Sequence, residues 1–261
     1  MSNSYFQFKK FRIEQGQTAM KVCTEACIFG ACIDVSNISK LPKPTKILDI
    51  GAGTGILSLM LAQRITENFT ENTNNQILID AVELEEKAFL QAQENIKNSI
   101  FSDKITAFNV SIQDFAGNNT QKYDLIVSNP PFFSNHLLSK IANKNLALHT
   151  NTLSFDDLAK AGSQLLHENG TFEILLPAYE MSLFEQIANK YNLQITKNLN
   201  VFNTEKHLKD NKIFRKICTL KFNANVLDKS IILEESLVIK SEENAYIDSF
   251  KLLLKDFYLH L

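Results

Sequence analysis

This chain of 261 residues lacks an excess of either charge. Its 27 Lys and Arg against 29 Asp and Glu leave a formal net charge of −2. That excludes a global cationic field, though not a local basic stripe, since only contacted phosphates release their counterions. Two stripes exist: Lys9, Lys10 and Arg12 near the start, and Lys206, Lys209, Lys212, Arg215 and Lys216 later. Each also reads as an ordinary solvated face. Long hydrophobic runs are lacking too. The longest, Ile56 to Ala62, stops at Gln63 and is far too short to cross a bilayer. The polar start Met1-Ser2-Asn3-Ser4-Tyr5 has no apolar core of a secretion signal. A cytoplasmic protein without a membrane association is expected. Cysteines are few: Cys23, Cys27 and Cys32 cluster, and Cys218 stands apart. Their spacing matches no CxxC pair or ferredoxin-like run, so no metal site is expected. Cys23 and Cys27, four apart in a helical pattern, read as small core residues. There is no internal repeat or low-complexity segment. The nearest approach, Asn68 to Gln76, is rich in Asn and Thr and reads as an exposed loop.

What is present is an ordinary soluble composition, 44% hydrophobic and 21% charged, at a length that supports a large core. Phe6 to Gly16 alternates Phe6, Phe8 and Phe11 with basic residues and reads as a short hairpin or arm. The spacing predicts a helix over Thr18 to Val35, ended by the turn Leu41-Pro42-Lys43-Pro44. From there strands and helices alternate. Strands are predicted at Lys46–Ile50, Gln76–Val82, Ile105–Asn109, Tyr123–Val127 and Thr171–Leu176. Helices are predicted at Gly55–Glu67, Glu85–Asn98, Phe155–His167 and Ala178–Lys190. Such alternation implies a mainly parallel sheet covered on both faces. Leu193–Val201 and Ile213–Phe222 follow without an intervening helix and imply an antiparallel hairpin at one edge. Leu237-Val238-Ile239 reads as a last strand. Glu243 to Leu261 reads as a terminal helix, with Phe250, Leu253, Leu254, Phe257 and Leu261 as its core stripe. The expected fold is α/β, a seven-stranded Rossmann-like sheet with a C-terminal antiparallel hairpin. Residues 1–45 form an arm and helix that pack on a catalytic domain of residues 46–261.

Two motifs carry chemistry. Ile47-Leu48-Asp49-Ile50-Gly51-Ala52-Gly53-Thr54-Gly55 runs a strand into a glycine turn. Its G-x-G-x-G spacing differs from the dinucleotide G-x-G-x-x-G. Ile56-Leu57 follow where a phosphate loop needs Lys-Ser or Lys-Thr, which excludes a Walker motif. Gly51, Gly53 and Gly55 let backbone bend and approach a ligand closely, and the helix beginning near Ile56 offers N–H groups to a carboxylate. Glu83 closes the next strand, where a carboxylate can accept both hydroxyls of a ribose. Asp114, past the third strand, is placed to accept an adenine amino group while Ile112 packs on the ring. The whole fits S-adenosylmethionine.

The second motif is Asn129-Pro130-Pro131-Phe132, after the strand Tyr123–Val127. An exocyclic amine on a base is a poor nucleophile because its lone pair is delocalised into the ring. The Asn129 amide oxygen and the Pro130 carbonyl can accept both of its protons and draw the nitrogen toward tetrahedral geometry. Fixed acceptors of this kind are preorganised electrostatic catalysis, and holding the nitrogen in line with the methyl donor adds positioning. Pro130 and Pro131 stiffen the loop. Phe132 offers a face on which the base can stack, with Phe133 beside it. Methyl transfer to an amino nitrogen is the expected reaction.

Nearly the whole chain resembles the bacterial tRNA(Val) adenine-N(6)-methyltransferases, a family of class I S-adenosylmethionine-dependent enzymes. The stretches that carry the resemblance are Phe6 to Phe11, Met20-Lys21-Val22, Leu48 to Gly55, Leu59 to Arg64, Ile79 to Glu85, Ala92 to Ile96, Asn129 to Phe133 and Phe257-Tyr258-Leu259. The glycine turn is shared by many methyltransferases. Met20-Lys21-Val22 together with Asn-Pro-Pro is far more specific. The resemblance implies methylation of the adenine beside the anticodon, position 37, with Lys21 and Thr24 lining the cofactor pocket. It implies a tRNA partner and neither a metal nor an obligate protein partner. Two positions depart from the pattern. Cys23-Thr24-Glu25-Ala26 stands where the family has Gly-Thr-Asp-Gly, keeping the acid in kind and losing the glycines. Leu148 precedes His149 where relatives carry Arg beside an aromatic or His. The alternatives are a ribosomal RNA guanine-N(2) or a protein glutamine methyltransferase, which share the tetrapeptide, and a non-catalytic cofactor-binding RNA assembly factor.

Overall fold

The computed structural model describes residues 3–18, 21–35, 44–68, 77–131, 153–225 and 231–261. Met20, Phe132, Phe133, Leu148, His149, most of the 68–76 loop and the turn at 41–43 lie outside the described residues.

Eight strands form one sheet: β3 (Thr45–Ile50), β4 (Ile77–Glu83), β5 (Ile105–Asn109), β6 (Tyr123–Ser128), β7 (Leu166–Leu176), β8 (Leu193–Thr204), β9 (Arg215–Phe222) and β10 (Leu233–Lys240). Their order is β10-β8-β9-β7-β6-β3-β4-β5. β3 to β7 run parallel. β9 is antiparallel to both β7 and β8, which is the expected hairpin edge. The sheet has eight strands and not the expected seven, because β10 adds parallel to β8. β3 is buried along almost all its length, as suits a strand covered on both faces.

One face carries α1 (Thr24–Cys32), α2 (Ile56–Asn68) and α8 (Asp248–Leu254). The other carries α4 (Ile112–Asn118), α5 (Phe155–Leu165) and α6 (Ala178–Lys190). Helix α3 (Glu86–Lys97) begins where the Glu85 carboxylate accepts from the amides of Lys87 and Ala88. A two-stranded hairpin, β1 (Tyr5–Gln7) and β2 (Arg12–Glu14), forms a separate small sheet. A short helix α7 (Glu205–Lys209) joins β8 to β9.

Three boundaries differ from the sequence expectations. The first helix starts at Thr24 and not Thr18, because Cys23 is extended, at φ −124° and ψ 157°, and the buried Gln15 side chain accepts from the Val22 amide at 2.8 Å. α5 ends at Leu165, and the chain passes directly into β7, longer than its predicted core. The terminal helix is only seven residues long. Beyond Leu254 the chain turns back to pair with the arm: the Lys9 amide donates to the Phe257 carbonyl at 2.8 Å, and Phe8 bridges Tyr258. Phe257 is therefore buried from outside the helix, while Leu261 is 42% exposed and falls off the core stripe.

The chain order moves from β3 outward to β4 and β5, then returns to place β6 on β3's other side. That reversal is a topological switch point, and ligands in open α/β sheets bind outside the carboxyl ends of the strands flanking it. Gly51 follows β3 and Asn129 follows β6.

Candidate active site

Both motifs stand at one level of the sheet. Ile50 is in register with Ser128 on one side and Val82 on the other. Ser128 Oγ donates to the Ile50 carbonyl at 2.9 Å and ties the two strand ends together. Gly51 and Asn129, each one residue further on, are thereby brought side by side.

The glycine turn is held from several directions. The amides of Gly51 and Ala52 both donate to the Val82 carbonyl, at 2.9 and 3.1 Å, and the Gly55 amide donates to the Ala52 carbonyl at 2.8 Å. Gly51, Gly53 and Gly55 have φ of +75°, +57° and +79°, a region that only glycine enters at little cost. Among the described residues, nothing lies within 4 Å of where a Cβ would sit on Gly51 or Gly53. Glu83 stands over this turn: its Oε2 accepts from the Gly53 amide at 2.9 Å and its Oε1 from the Glu85 amide at 2.8 Å.

Asp49 lies beneath the turn with no exposure to solvent. Its Oδ2 accepts twice from Ser58, and its Oδ1 is buried without a partner. Burial raises its pKa to about 7. The two Ser58 hydrogen bonds oppose that rise, and the nearby Glu83 charge adds to it.

A cavity of about 440 Å³ opens beside the turn, on the β4–β5 side, lined among others by Ile50, Gly51, Leu84, Ile112, Asp114 and Leu153. Ile112 is buried in its wall and Leu84 is 46% exposed, so a flat apolar ring has a surface on which to lie. Asp114 lines it as well, and Ser111 Oγ donates to its Oδ2 at 2.6 Å in the cap of α4.

Asn129 approaches from the opposite side of β3 and does not line this cavity. Among the described residues its Oδ1 is buried and has no hydrogen-bond partner. An unpaired buried amide oxygen costs about 1–3 kcal/mol, and a donor brought to it recovers that cost. Pro130 is buried and Pro131 exposed.

Lys21 and Thr24 are half-buried at the entry to α1. Lys21 Nζ donates to the Gln15 carbonyl, so in this structure it braces the arm. Glu25 pairs with Arg215 at 2.8 Å in a largely buried contact, and the Arg215 guanidinium lies 4.1 Å over the Phe214 ring. The basic stripes are similarly engaged: Lys10 pairs with Glu67, Arg12 with Glu14 and Lys209 with Glu242. Among the described residues no cluster of three metal-ligating side chains occurs, and no helix is long and apolar enough to cross a membrane.

The sequence reading did not single out Leu84, Leu153 or Asn95. Leu84 carried a signal, an exposed leucine directly after a strand-end acid. Asn95 carried another, a polar residue that with Gln91 interrupts the helix stripe of Ala88, Ala92 and Ile96. Leu153 is brought in only by tertiary structure.

The residues present fit S-adenosylmethionine. A glycine cradle admits close approach, a strand-end carboxylate overhangs it, an apolar slot adjoins it, and Asp49 offers a buried acceptor oxygen below. Comparison with known proteins agrees. Residues 20–176 match the methyltransferase small domain family. The chain is 42% identical, over 98% of both chains, to a tRNA1(Val) (adenine(37)-N6)-methyltransferase of Dyadobacter fermentans. It is 38% identical, over the full length of both, to the protein of the same name in Cytophaga hutchinsonii. Two solved structures share the fold. One, assigned as an O-methyltransferase from Agrobacterium tumefaciens, has a TM-score of 0.57 at 12% identity, covering 88% of this chain and 95% of that one. The other, assigned to the class I S-adenosylmethionine-dependent methyltransferases, comes from Listeria monocytogenes. Its TM-score is 0.53 at 16% identity, covering 82% of this chain and 62% of that one.

Proposed function

The chain belongs to the methyltransferase small domain family and, at full length, to the bacterial tRNA1(Val) (adenine(37)-N6)-methyltransferases, and on that premise we propose that it methylates the exocyclic amino nitrogen of adenine 37 in tRNA(Val). It is an enzyme, and its cofactor is S-adenosylmethionine. The observation that carries the proposal is the Asn129 amide oxygen, buried and, among the described residues, unpaired one residue beyond the Ser128–Ile50 pair that sets it against the glycine turn.

When bound, the cofactor supplies an electrophilic methyl carbon on a sulfonium sulfur. Gly51 and Gly53 would cradle it, the Glu83 carboxylate would meet its ribose, and Leu84 and Ile112 would flank its ring. Asn129 Oδ1 and the Pro130 carbonyl accept the two amino protons of the target adenine, which localises the nitrogen lone pair and aims it. Bound there, S-adenosylmethionine would supply its methyl carbon to that nitrogen, the C–S electron pair staying on sulfur. The nitrogen then loses a proton readily, so no general base is required before attack. Phe132, next in sequence after Pro131, is assigned the stacking of the base. An anticodon-loop adenine leaves its stack at lower cost than a duplex base. β8 runs parallel to β7, so its end at Thr204 brings exposed Lys206 and Lys212 to the same sheet edge as Asn129, where phosphates can meet them. A tRNA substrate places the work in the cytoplasm.

The test is methyl transfer from labelled cofactor to total tRNA, ribosomal RNA and protein in parallel. Label is expected in tRNA as N6-methyladenine. Asn129→Ala is expected to lower kcat at least a hundredfold while retaining cofactor affinity. Label in ribosomal RNA or protein, or full activity in Asn129→Ala, would overturn the proposal.

A further inference from the structure

One side chain joins the N-terminal arm to the glycine turn. Asn95, on α3, is 2% exposed. Its Oδ1 accepts from the Glu14 amide at 2.8 Å, and its Nδ2 donates to the Glu14 carbonyl at 2.9 Å. The amide thus pairs with the end of β2 as a neighbouring strand would. The same Nδ2 also donates to the Thr54 carbonyl at 2.9 Å. Both donors and an acceptor are engaged, all with main chain, in two segments about forty residues apart.

Thr54 sits between Gly53, whose amide is held by Glu83, and Gly55, against which α3 lies close. A Cβ on Gly55 would stand 3.5 Å from the Ala92 Cβ and 3.7 Å from Ile96 Cγ1. The arm itself is anchored at its far side by the Lys9–Phe257 hydrogen bond and the Phe8–Tyr258 bridge. Beyond Glu14, Gln15 reaches forward to the Val22 amide, two residues before α1. The arm therefore runs as a belt from the C-terminal segment, past the glycine turn, to the entry of α1.

Packing alone would be served by an apolar residue at this place on α3, whose buried side carries Ala88, Ala92 and Ile96 beside one other amide, Gln91, whose Oε1 accepts from the arm's Gln17 amide at 3.4 Å. A buried amide is tolerated there because every one of these hydrogen bonds is made. We infer that Asn95 is a positioning residue for the cofactor: through the Thr54 carbonyl it fixes the Gly53–Gly55 turn, and through Glu14 it makes order in the arm and affinity for the cofactor one coupled equilibrium. Coupling of this kind is reciprocal, so a ligand seated on the turn must steady the arm by as much as the arm strengthens the ligand. The inference rests on the methyl-transfer reading for the identity of the ligand.

The test uses the full chain and S-adenosylhomocysteine as probe. In the unaltered protein the probe is expected to slow amide hydrogen exchange at Glu14 and Gln17 severalfold. Asn95→Leu is expected to weaken probe binding by calorimetry about tenfold. It should raise KM for the cofactor by a similar factor, leave kcat at saturating cofactor within about twofold, and abolish the exchange response. A folded Asn95→Leu that binds the probe as tightly as the unaltered chain would overturn the inference. So would arm exchange indifferent to the probe in the unaltered chain, and that measurement decides alone if the variant does not fold. Failure of the unaltered chain to bind the probe at all would sink the methyl-transfer reading together with this one.

Discussion

Ser58 meets Asp49 twice. Its hydroxyl donates to Asp49 Oδ2 at 2.7 Å and its amide meets the same oxygen at 3.2 Å. The contact locks the first turn of α2 to the strand that delivers the glycine turn, so the two ends of the cofactor loop are held by one carboxylate. Both hydrogen bonds favour the ionised form, while burial favours the neutral one, and the balance leaves Asp49 at about 7.

Ser58→Ala removes the hydroxyl and keeps the amide. The lost bond stabilises the charged carboxylate, so its removal raises the Asp49 pKa further and costs more where the charged form dominates. The expected loss of stability is about 1–2 kcal/mol at pH 8.5 and smaller at pH 6. Denaturant unfolding at the two pH values checks it, and an equal loss at both would show that Asp49 is not the partner that matters.

Gly53→Ala separates folding from binding. The residue sits at φ +57°, where an alanine costs about 1–2 kcal/mol. Among the described residues, its Cβ would meet nothing within 4 Å. The variant is expected to fold with a lowered melting temperature and to lose at least tenfold in cofactor affinity, because the added methyl group stands in the cradle itself. Calorimetric titration alongside a thermal melt separates the two effects. A variant destabilised to this degree that still binds as tightly as the unaltered chain would show that the ligand does not approach Gly53.

Much of this was legible in local sequence. β5 and α6 lie where periodicity put them, and the glycine turn and Glu83 announced themselves by spacing. What escaped depended on partners far along the chain. β10 finds its place beside β8 through pairs such as Leu237 with Val201, and nothing in Leu237-Val238-Ile239 names that neighbour. Asn95 was passed over for the same reason, since its partner Glu14 lies 81 residues away. Asp114 shows the same limit: the acid after a strand was legible and lines the cavity, while the Ser111 hydroxyl that donates to one of its oxygens appears only with the cap of α4. Local signals place elements well because they reflect burial and backbone preference. They place side-chain partners poorly because those are fixed only when the sheet order is.

Glu173 gives the fold a pH dependence unconnected with the reaction. It lies in β7, 4% exposed, with Oε1 accepting from Thr219 Oγ1 at 3.0 Å. Burial raises its pKa from 4.5 to about 7, against the lowering influences of Thr219, Lys197 and Arg64. An acid whose folded pKa lies above its unfolded one holds an extra proton in the folded state between the two values. Its stabilising contribution is therefore complete below about pH 4.5, is lost as the pH rises through 7, and changes little above that. Glu173→Gln keeps an acceptor for Thr219 and cannot ionise. It is expected to match the unaltered chain near pH 5 and to exceed it by about 1–3 kcal/mol at pH 8. Because Asp49 titrates in the same direction and range, the variant should keep part of the downward slope of stability with pH, and Asp49→Asn combined with Glu173→Gln should flatten it. Unfolding free energies measured from pH 5 to 8 test this directly. Parallel curves for the unaltered chain and Glu173→Gln would mean that the buried carboxylate is already ionised throughout, with Lys197 and Arg64 outweighing its burial.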